Sequence, residues 1–281
     1  WKKFKNLKKS IFNDIYKVET ILDDKKYIMN RKPGTSCMLN RPEFIAQLGR
    51  EASKTGVNIY TNHKIKTIKN LDGDYIIDAS GCPSFVKREL NIKHGILGKT
   101  YQQTLENSNF FYKNTMKVFI TGKTGYYWVF PRNPEKKEIN IGMGVIGKKS
   151  LNLKKILNEF KEKNNIQGGA KYTTGGLIPT GIQRPLKHKN ILFVGDTGVG
   201  TFPYTGEGIY RALLSGDLAA KCIVKNQANK YPYEIYRNFI KWDIIGKFII
   251  TSSYILDNIS PKASNSLHRT YLHIWYNYFQ K

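Results

Sequence analysis

The sequence predicts an α/β fold that carries an inserted antiparallel sheet and a helical C-terminal region. Three observations predict it. Residues 191–220 read as a buried strand, a glycine-rich loop and a helix. Residues 101–145 break into short runs rich in aromatic and β-branched residues, the composition of a half-buried sheet. Beyond residue 225 the spacing turns helical, over 233–248 and again over 267–279, the latter with Trp275.

The strand–loop–helix stretch is the most informative. Residues 191–194, ILFV, are continuously apolar, which suits a strand covered on both faces. Residues 195–208 hold five glycines, one proline and the carboxylate of Asp196. From Ile209 onward the small or apolar residues Ile209, Ala212, Leu213, Gly216 and Ala220 recur at helical spacing, so a helix follows. A helix start behind a glycine loop leaves its first N–H groups unsatisfied at the positive end of the dipole. That makes a cradle for an anion or cofactor.

The run VGDTGVGTFPYTGEGIYRALLSGDLAA resembles the second flavin-contacting motif of FAD enzymes with the aromatic-hydroxylase-type fold. Its TGEGIYRALLSG portion is most similar to the geranylgeranyl reductase family, which saturates isoprenoid double bonds. The resemblance implies that Asp196 holds the ribityl chain of FAD. It implies that the backbone of Gly206 and Gly208 faces the flavin ring, with Gly195, Pro203 and Ile209 in the same cofactor loop. Backbone N–H groups at a helix start suit the negative charge a reduced flavin carries near N1 and C2=O.

The chain opens on the basic stretch WKKFKNLKKS, with no dinucleotide fingerprint around it. Enzymes of the resembled fold begin with a strand, GxGxxG and a helix. The expectation is therefore a Rossmann-type FAD-binding domain whose first βαβ unit lies outside this sequence. Residues 41–54, RPEFIAQLGREASK, read as a helix with Phe44, Ile45, Leu48 and Ala52 on one face and Pro42 in its first turn. Gly56 ends it, and 57–60 read as a strand. By resemblance to the family's R–x–x–F helix, Arg41 lies over the cofactor. Residues 65–68 and 75–79 read as strands joined by a turn at Asp72–Gly73. DASGCPSFVKREL, 78–90, resembles the family's DG motif, which implies Asp78 and Gly81 near the pyrophosphate and ribityl region. Ser84 is placed to cap the following helix.

Within 101–145 the expected strands cover 110–112, 116–121, 125–130 and 138–145. YYWVFP at 126–131 matches the family's Y-x-W-x-F-P motif. Strand alternation puts Tyr126, Trp128 and Phe130 on one face. The resemblance makes these residues, with Pro131 and Gly142, the lining of a lipid cavity; aromatic packing in an ordinary core is the competing reading of the ring pattern. GMGVIG at 142–147 is a formal GxGxxG, but the acidic residue 20 positions on, Glu162, falls inside the helix expected over 150–163. It is not a dinucleotide site, and its glycines admit close approach of backbone to ligand or sheet neighbour.

Composition bounds the partners. The 281 residues carry a formal charge of +25, spread along the chain, with Lys far outnumbering Arg. No Arg-and-aromatic cluster of a nucleic-acid module is present, so no nucleic acid is expected. The plain reading of the charge is a solvated surface; attraction to anionic lipid headgroups, each basic group near a membrane adding about 1 kcal/mol, gains weight from the lipid enzyme that the resemblance implies. Cys37, Cys82 and Cys222 lack CxxC spacing and the five histidines lack HExxH, so no metal is expected and a reducing cytoplasm fits. The longest apolar run, 244–256, is short for a span and contains Lys247. A span is not expected, and peripheral membrane contact stays open.

Residues 1–98 and 186–225 are expected to form the two parts of the FAD domain. Residues 99–185 form the antiparallel substrate domain, and 226–281 the helical region. The function implied by resemblance is FAD-dependent reduction of isoprenoid double bonds in a prenyl lipid, with NAD(P)H or ferredoxin as the open choice of electron donor. A flavin monooxygenase or halogenase of the same fold, or a basic lipid-binding remnant without catalysis, are the rivals. No proton donor is nameable from the sequence.

Overall fold

The computed structural model describes residues 7–121, 125–146 and 151–279. The first six residues of the basic opening, and Gly147 of the GMGVIG run, lie outside the described residues. So does the side chain of Trp275.

The chain begins with β1 (Ile11–Asp14), β2 (Lys17–Leu22), β3 (Lys25–Asn30) and β4 (Cys37–Leu39). β1 and β4 pair as a separate antiparallel ribbon. β2 and β3 form a hairpin through Asp23 and Asp24, whose φ values of 48° and 60° suit a two-residue turn. α1 (Arg41–Lys54) follows, then β5 (Ile76–Asp78) and the short α2 (Phe85–Glu89). Ser84 caps α2 by accepting from the backbone N–H of Lys87.

Next come β6 (Leu97–Glu106), β7 (Thr115–Thr121), β8 (Gly125–Pro131) and β9 (Ile139–Ile146), then α3 (Leu153–Lys163) and β10 (Gly169–Pro179). The last third holds β11 (Lys187–His188), β12 (Ile191–Phe193), the single turn α4 (Gly195–Gly198) and three longer helices. These are α5 (Ile209–Val224), α6 (Tyr231–Ile259) and α7 (Pro261–Phe279).

Two sheets organise these elements. The larger has seven strands in the order β10-β6-β9-β8-β7-β2-β3, antiparallel except for the parallel β2–β7 pair. One face packs on α3, with Leu105, Val129, Ile139, Ile141, Met143 and Leu157 buried between them. Tyr127 stacks on Phe160 of α3 at 4.0 Å between ring centroids. Alternation then turns Tyr126, Trp128 and Phe130 to the opposite face. The smaller sheet is β11-β12-β5, with β12 parallel to β5. Residues 191–194 are all buried, as their apolar run requires. Ile191 and Phe193 face α2, while Leu192 and Val194 join the core formed with α5 and α6.

Several local expectations are corrected. Residues 57–60 and 65–68 are not strands; Ile68–Asn70 forms a single 3-10 turn, and Val57, Ile59, Tyr60 and Ile65 are exposed. A strand needs a hydrogen-bonded neighbour, and β5 ends its sheet with none beside these segments among the described residues. The Asp72–Gly73 turn accordingly closes no hairpin. Residues 110–112 lie between strands. Ile45 of α1 is exposed, with Phe44 the buried anchor. Residues 17–30, expected with the cofactor half, pair instead with the substrate sheet through β7.

α5 holds the largest surprise. The stripe that signals it in the sequence is not its inner face: Ile209, Ala212 and Ala220 are exposed, while Arg211, Ser215, Ala219 and Cys222 are buried. Arg211 is fully buried and donates to Asp243 Oδ1 at 2.6 Å, to Asp243 Oδ2 at 3.3 Å and to the carbonyl of Val199 at 2.6 Å. Asp243 Oδ2 also accepts from the N–H of Ile182 at 2.6 Å. The rings of Phe202 and Phe239 flank the guanidinium at 4.8 and 4.6 Å. Burial lowers the Arg211 pKa, and Asp243 opposes that shift.

Asp243→Ala leaves the guanidinium buried without its counter-ion, and urea unfolding should show a loss of about 3–5 kcal/mol. The double variant Arg211→Met with Asp243→Leu should regain most of it. An equal loss in the double variant would mean that the pair itself stabilises, rather than its rupture destabilising.

Candidate active site

The cofactor side is built where β12 runs into α4. The N–H of Val194 bonds the carbonyl of Asp78 at 3.0 Å, and that of Gly195 bonds Ser215 Oγ at 2.9 Å. Thr197, one residue beyond Asp196, joins the two halves of the site. Its hydroxyl accepts from the N–H of Gly81 at 3.0 Å and donates to the carbonyl of Gly81 at 3.1 Å. The two glycine loops expected to share one ligand are therefore locked edge to edge.

Asp196 is half-buried, and burial raises its carboxyl pKa, while Arg41 and Arg211 pull the other way. Arg41, exposed at the start of α1, thus lies close enough to act on Asp196 across the groove. Asp78 sits differently from the expectation of a ligand contact. It is buried, with Oδ1 accepting from the N–H of Ser80 at 2.9 Å and Oδ2 from the hydroxyl of Ser84 at 2.7 Å. Its oxygens shape the turn that presents Gly81. Behind that turn is Lys87, a group the sequence disguises as part of a basic helix. It is fully buried, donates to the carbonyls of Gln183 and Arg184 at 2.8 and 3.4 Å, and has its pKa lowered to about 8 by burial.

The loop continues through the buried Pro203, which touches α6 at Gly246, to Gly206 and Gly208. Gly206 has φ +73°, and a Cβ there would stand 2.9 Å from the hydroxyl of Tyr126. Gly208 precedes α5 without any side-chain cap, so the N-terminal turn keeps open N–H groups, and Ile209 is exposed beside them. A Cβ on Gly208 would lie 3.4 Å from Asp196 Oδ1.

The substrate strand meets this loop directly. Tyr126 donates to the carbonyl of Thr205 at 2.6 Å. Tyr126, Trp128 and Phe130 share a face, with centroids 5.7 and 6.3 Å apart along the row. Trp128 is buried, and its indole N–H donates to Asn140 Oδ1 at 2.7 Å. Gly142 lies under that indole: a Cβ would fall 2.3 Å from Trp128 Cζ2 and 2.7 Å from Gln102 Cβ. Its glycine serves ring-on-backbone packing. Pro131 is buried at the end of the strand. A small cavity of about 10 Å³ lies beside the site between Phe202–Thr205, Trp242, Ile245, Gly246 and Tyr271.

Sequence reasoning passed over Glu207, between the two open glycines. It is exposed, and desolvation by the surrounding protein raises its carboxyl pKa against the pull of Arg31. Among the described residues no ligating cluster for a metal occurs.

The family model described as geranylgeranyl reductase catalytic domain matches residues 97–175, which run from β6 into β10. The digeranylgeranylglycerophospholipid reductase 2 of Methanococcoides burtonii is 27% identical over 269 residues, covering 86% of this chain and 64% of that protein. The chain spans less than two thirds of the length of the first curated relatives it matches. Among solved structures, a geranylgeranyl bacteriochlorophyll reductase-like protein from Thermoplasma acidophilum superposes with a TM-score of 0.75 at 21% identity, over 92% of this chain and 76% of that one. A flavin-dependent halogenase superposes at 0.69 with 14% identity, over 99% of this chain and 60% of its own. Those structural likenesses establish the fold, which is that of flavin-dependent oxidoreductases and halogenases.

Gly142→Ala should cost about 1–3 kcal/mol in chemical unfolding, as overpacking does in a filled interior. Trp128→Leu in the same background should restore part of that loss, because the added methyl then has room. No loss from Gly142→Ala alone would show that the indole moves freely off the strand.

Proposed function

We propose, from the premise that this chain belongs to the geranylgeranyl reductase family, that it is the catalytic part of an FAD-dependent enzyme reducing isoprenoid C=C bonds of a prenyl lipid. The observation that carries this reading is the meeting of two surfaces. The open loop of Gly206 and Gly208 at the uncapped start of α5 abuts the aromatic face of β8 at Tyr126. A flat, electron-rich cofactor on the first surface would lie against an apolar chain on the second.

The residues present fit a flavin. A Cβ at Gly206 would stand 2.9 Å from the Tyr126 hydroxyl, so glycine lets the cofactor loop close directly onto the substrate strand. Asp196 offers a half-buried carboxylate to ribityl hydroxyls, and Gly81 holds the neighbouring turn open. Arg41 supplies positive charge over the groove. The first-turn N–H groups of α5 favour negative charge at the ring. FAD, when bound, supplies two electrons as a hydride; the protein's part is to orient the alkene, exclude water and deliver a proton. Trp128 and Phe130 supply the apolar wall for the isoprenoid.

The reading extends to where the lipid comes from. On α6, Ile244, Phe248, Ile255 and Ile259 are exposed along one face, continuing a line from the exposed Arg237 and Lys241. The inner face of the same helix, at Trp242, Ile245 and Gly246, walls the small cavity beside the site. No described helix is long and apolar enough to cross a membrane. An apolar stripe with basic flanks on a chain of charge +25 suits the surface of an anionic bilayer.

Three measurements test these points on the full-length gene product. Reduced anaerobically and given a geranylgeranyl lipid, it should reoxidise without oxygen and add two mass units per bond saturated. A gain of sixteen mass units that requires air would establish the monooxygenase instead. Asp196→Ala should keep its fold while weakening FAD binding by roughly 10- to 150-fold in fluorescence titration, the worth of a charge-assisted hydrogen bond. Vesicles rich in anionic lipid should sediment the protein, neutral ones far less, and Phe248→Glu should abolish the difference; equal sedimentation of wild type and variant would remove α6 from the membrane face.

A further inference from the structure

We propose that His94 is a positioning residue for the cofactor turn: its neutral imidazole holds residues 78–84 in the shape that meets the flavin, and uptake of a proton releases them. The inference rests on the flavin reading above and adds to it a residue that no motif marks.

Hydrogen bonds close the turn from several sides. Inside it, Asp78 Oδ1 accepts from the N–H of Ser80 and Oδ2 from the hydroxyl of Ser84. Ser84 Oγ accepts from the N–H of Lys87 at 3.0 Å, and Ser80 Oγ from that of Phe85 at 3.3 Å. Toward the groove, Gly81 exchanges two bonds with the Thr197 hydroxyl, next to Asp196. The remaining hold is on the backbone of Ser84, whose N–H donates to Nε2 of His94 at 2.9 Å. His94 is itself fixed. The N–H of the following Gly95 donates to Gln183 Oε1 at 2.7 Å, and the carbonyl of the same fully buried Gln183 accepts from Lys87 Nζ at 2.8 Å. One glutamine thus anchors both the imidazole and the helix that follows the turn.

This geometry decides the state of the ring. A backbone N–H only donates, so Nε2 carries no hydrogen and the ring hydrogen sits on Nδ1. Nδ1 is buried and has no hydrogen-bond partner among the described residues. A protonated ring would turn a second N–H against that of Ser84, and its charge would find no acceptor at either nitrogen. Nearby charges do not repair this. Burial lowers the His94 pKa most, Lys87 on α2 lowers it further, and Asp78 at the end of β5 opposes them with both oxygens already engaged. Lys93, beside it in the chain, is exposed, and Arg88 and Arg184 lie over the rings of Phe85 and Tyr236. The ring is therefore an acceptor at neutral pH. As the pH falls below the ordinary histidine value of about 6.5, protonation costs the Ser84 bond and loosens the turn that presents Gly81.

The test is a flavin titration of the full-length protein, stripped of FAD, from about pH 8 to about pH 5 across the histidine range. It compares wild type, His94→Gln and His94→Ala. Gln offers a neutral amide oxygen in place of Nε2 and does not titrate. Wild-type affinity should be level near neutrality and fall about tenfold on the acid side, the worth of one lost hydrogen bond. His94→Gln should match wild type at neutral pH and lack that step. Any decline from protonation of Asp196 is common to both proteins and cancels in the comparison. His94→Ala should bind about tenfold more weakly already at neutral pH. Without flavin, amide exchange over residues 80–90 at neutral pH should be faster in His94→Ala than in the other two, and nitrogen NMR should show His94 neutral with its hydrogen on Nδ1. Parallel pH profiles in wild type and His94→Gln, an imidazolium spectrum at neutral pH, or full affinity in His94→Ala overturn the inference alone. A wild type that binds no flavin at any pH overturns the cofactor reading and this inference with it.

Discussion

The ion pair between Arg211 and Asp243 is the constraint on which the rest of the site depends. One guanidinium ties the first turn of α5 to the middle of α6 and to the carbonyl of Val199. The carboxylate in turn holds the N–H of Ile182, at the return from the large sheet. Four segments thus meet at one buried charge. The start of α5 can point its open N–H groups at the groove because its third residue is anchored in the core behind it. Pairing buried charges brings little net stability compared with an apolar substitute, but it gives direction, which packing of aliphatic side chains does not.

The second organising feature is that β8 has two different faces. Tyr127 and Val129 pack on α3 and make the sheet a stable wall. Tyr126, Trp128 and Phe130 turn toward the glycine loop. A strand that serves core and site together cannot slip by one residue without exchanging the two, so its register is specified by the core while the site benefits.

What was legible in the sequence is what is local. The strand, glycine loop and helix of 191–220 declare themselves within thirty residues, and the alternation of YYWVFP places its aromatic row correctly. The helix over 41–54 matches α1 residue for residue. What was illegible depends on partners far along the chain. The burial of Arg211 is decided by Asp243, 32 residues away. The buried carboxylate of Asp78 serves Ser80 and Ser84, which a motif comparison cannot distinguish from service to a ligand. Residues 57–60 have the composition of a strand, but hydrogen-bonded neighbours decide whether they become one. Glu207 was passed over because, between two glycines, it reads as a turn residue.

The bond between Gly81 and Thr197 spans 116 residues of chain. Everything between them includes the strands β6 to β10, which must find their own antiparallel partners first. Contacts of such separation come late in folding, because the loop between them is costly to close before the intervening structure has condensed. The groove is therefore assembled after its walls. A ligand held in that groove would therefore meet a finished sheet and could not serve as an early template for this chain.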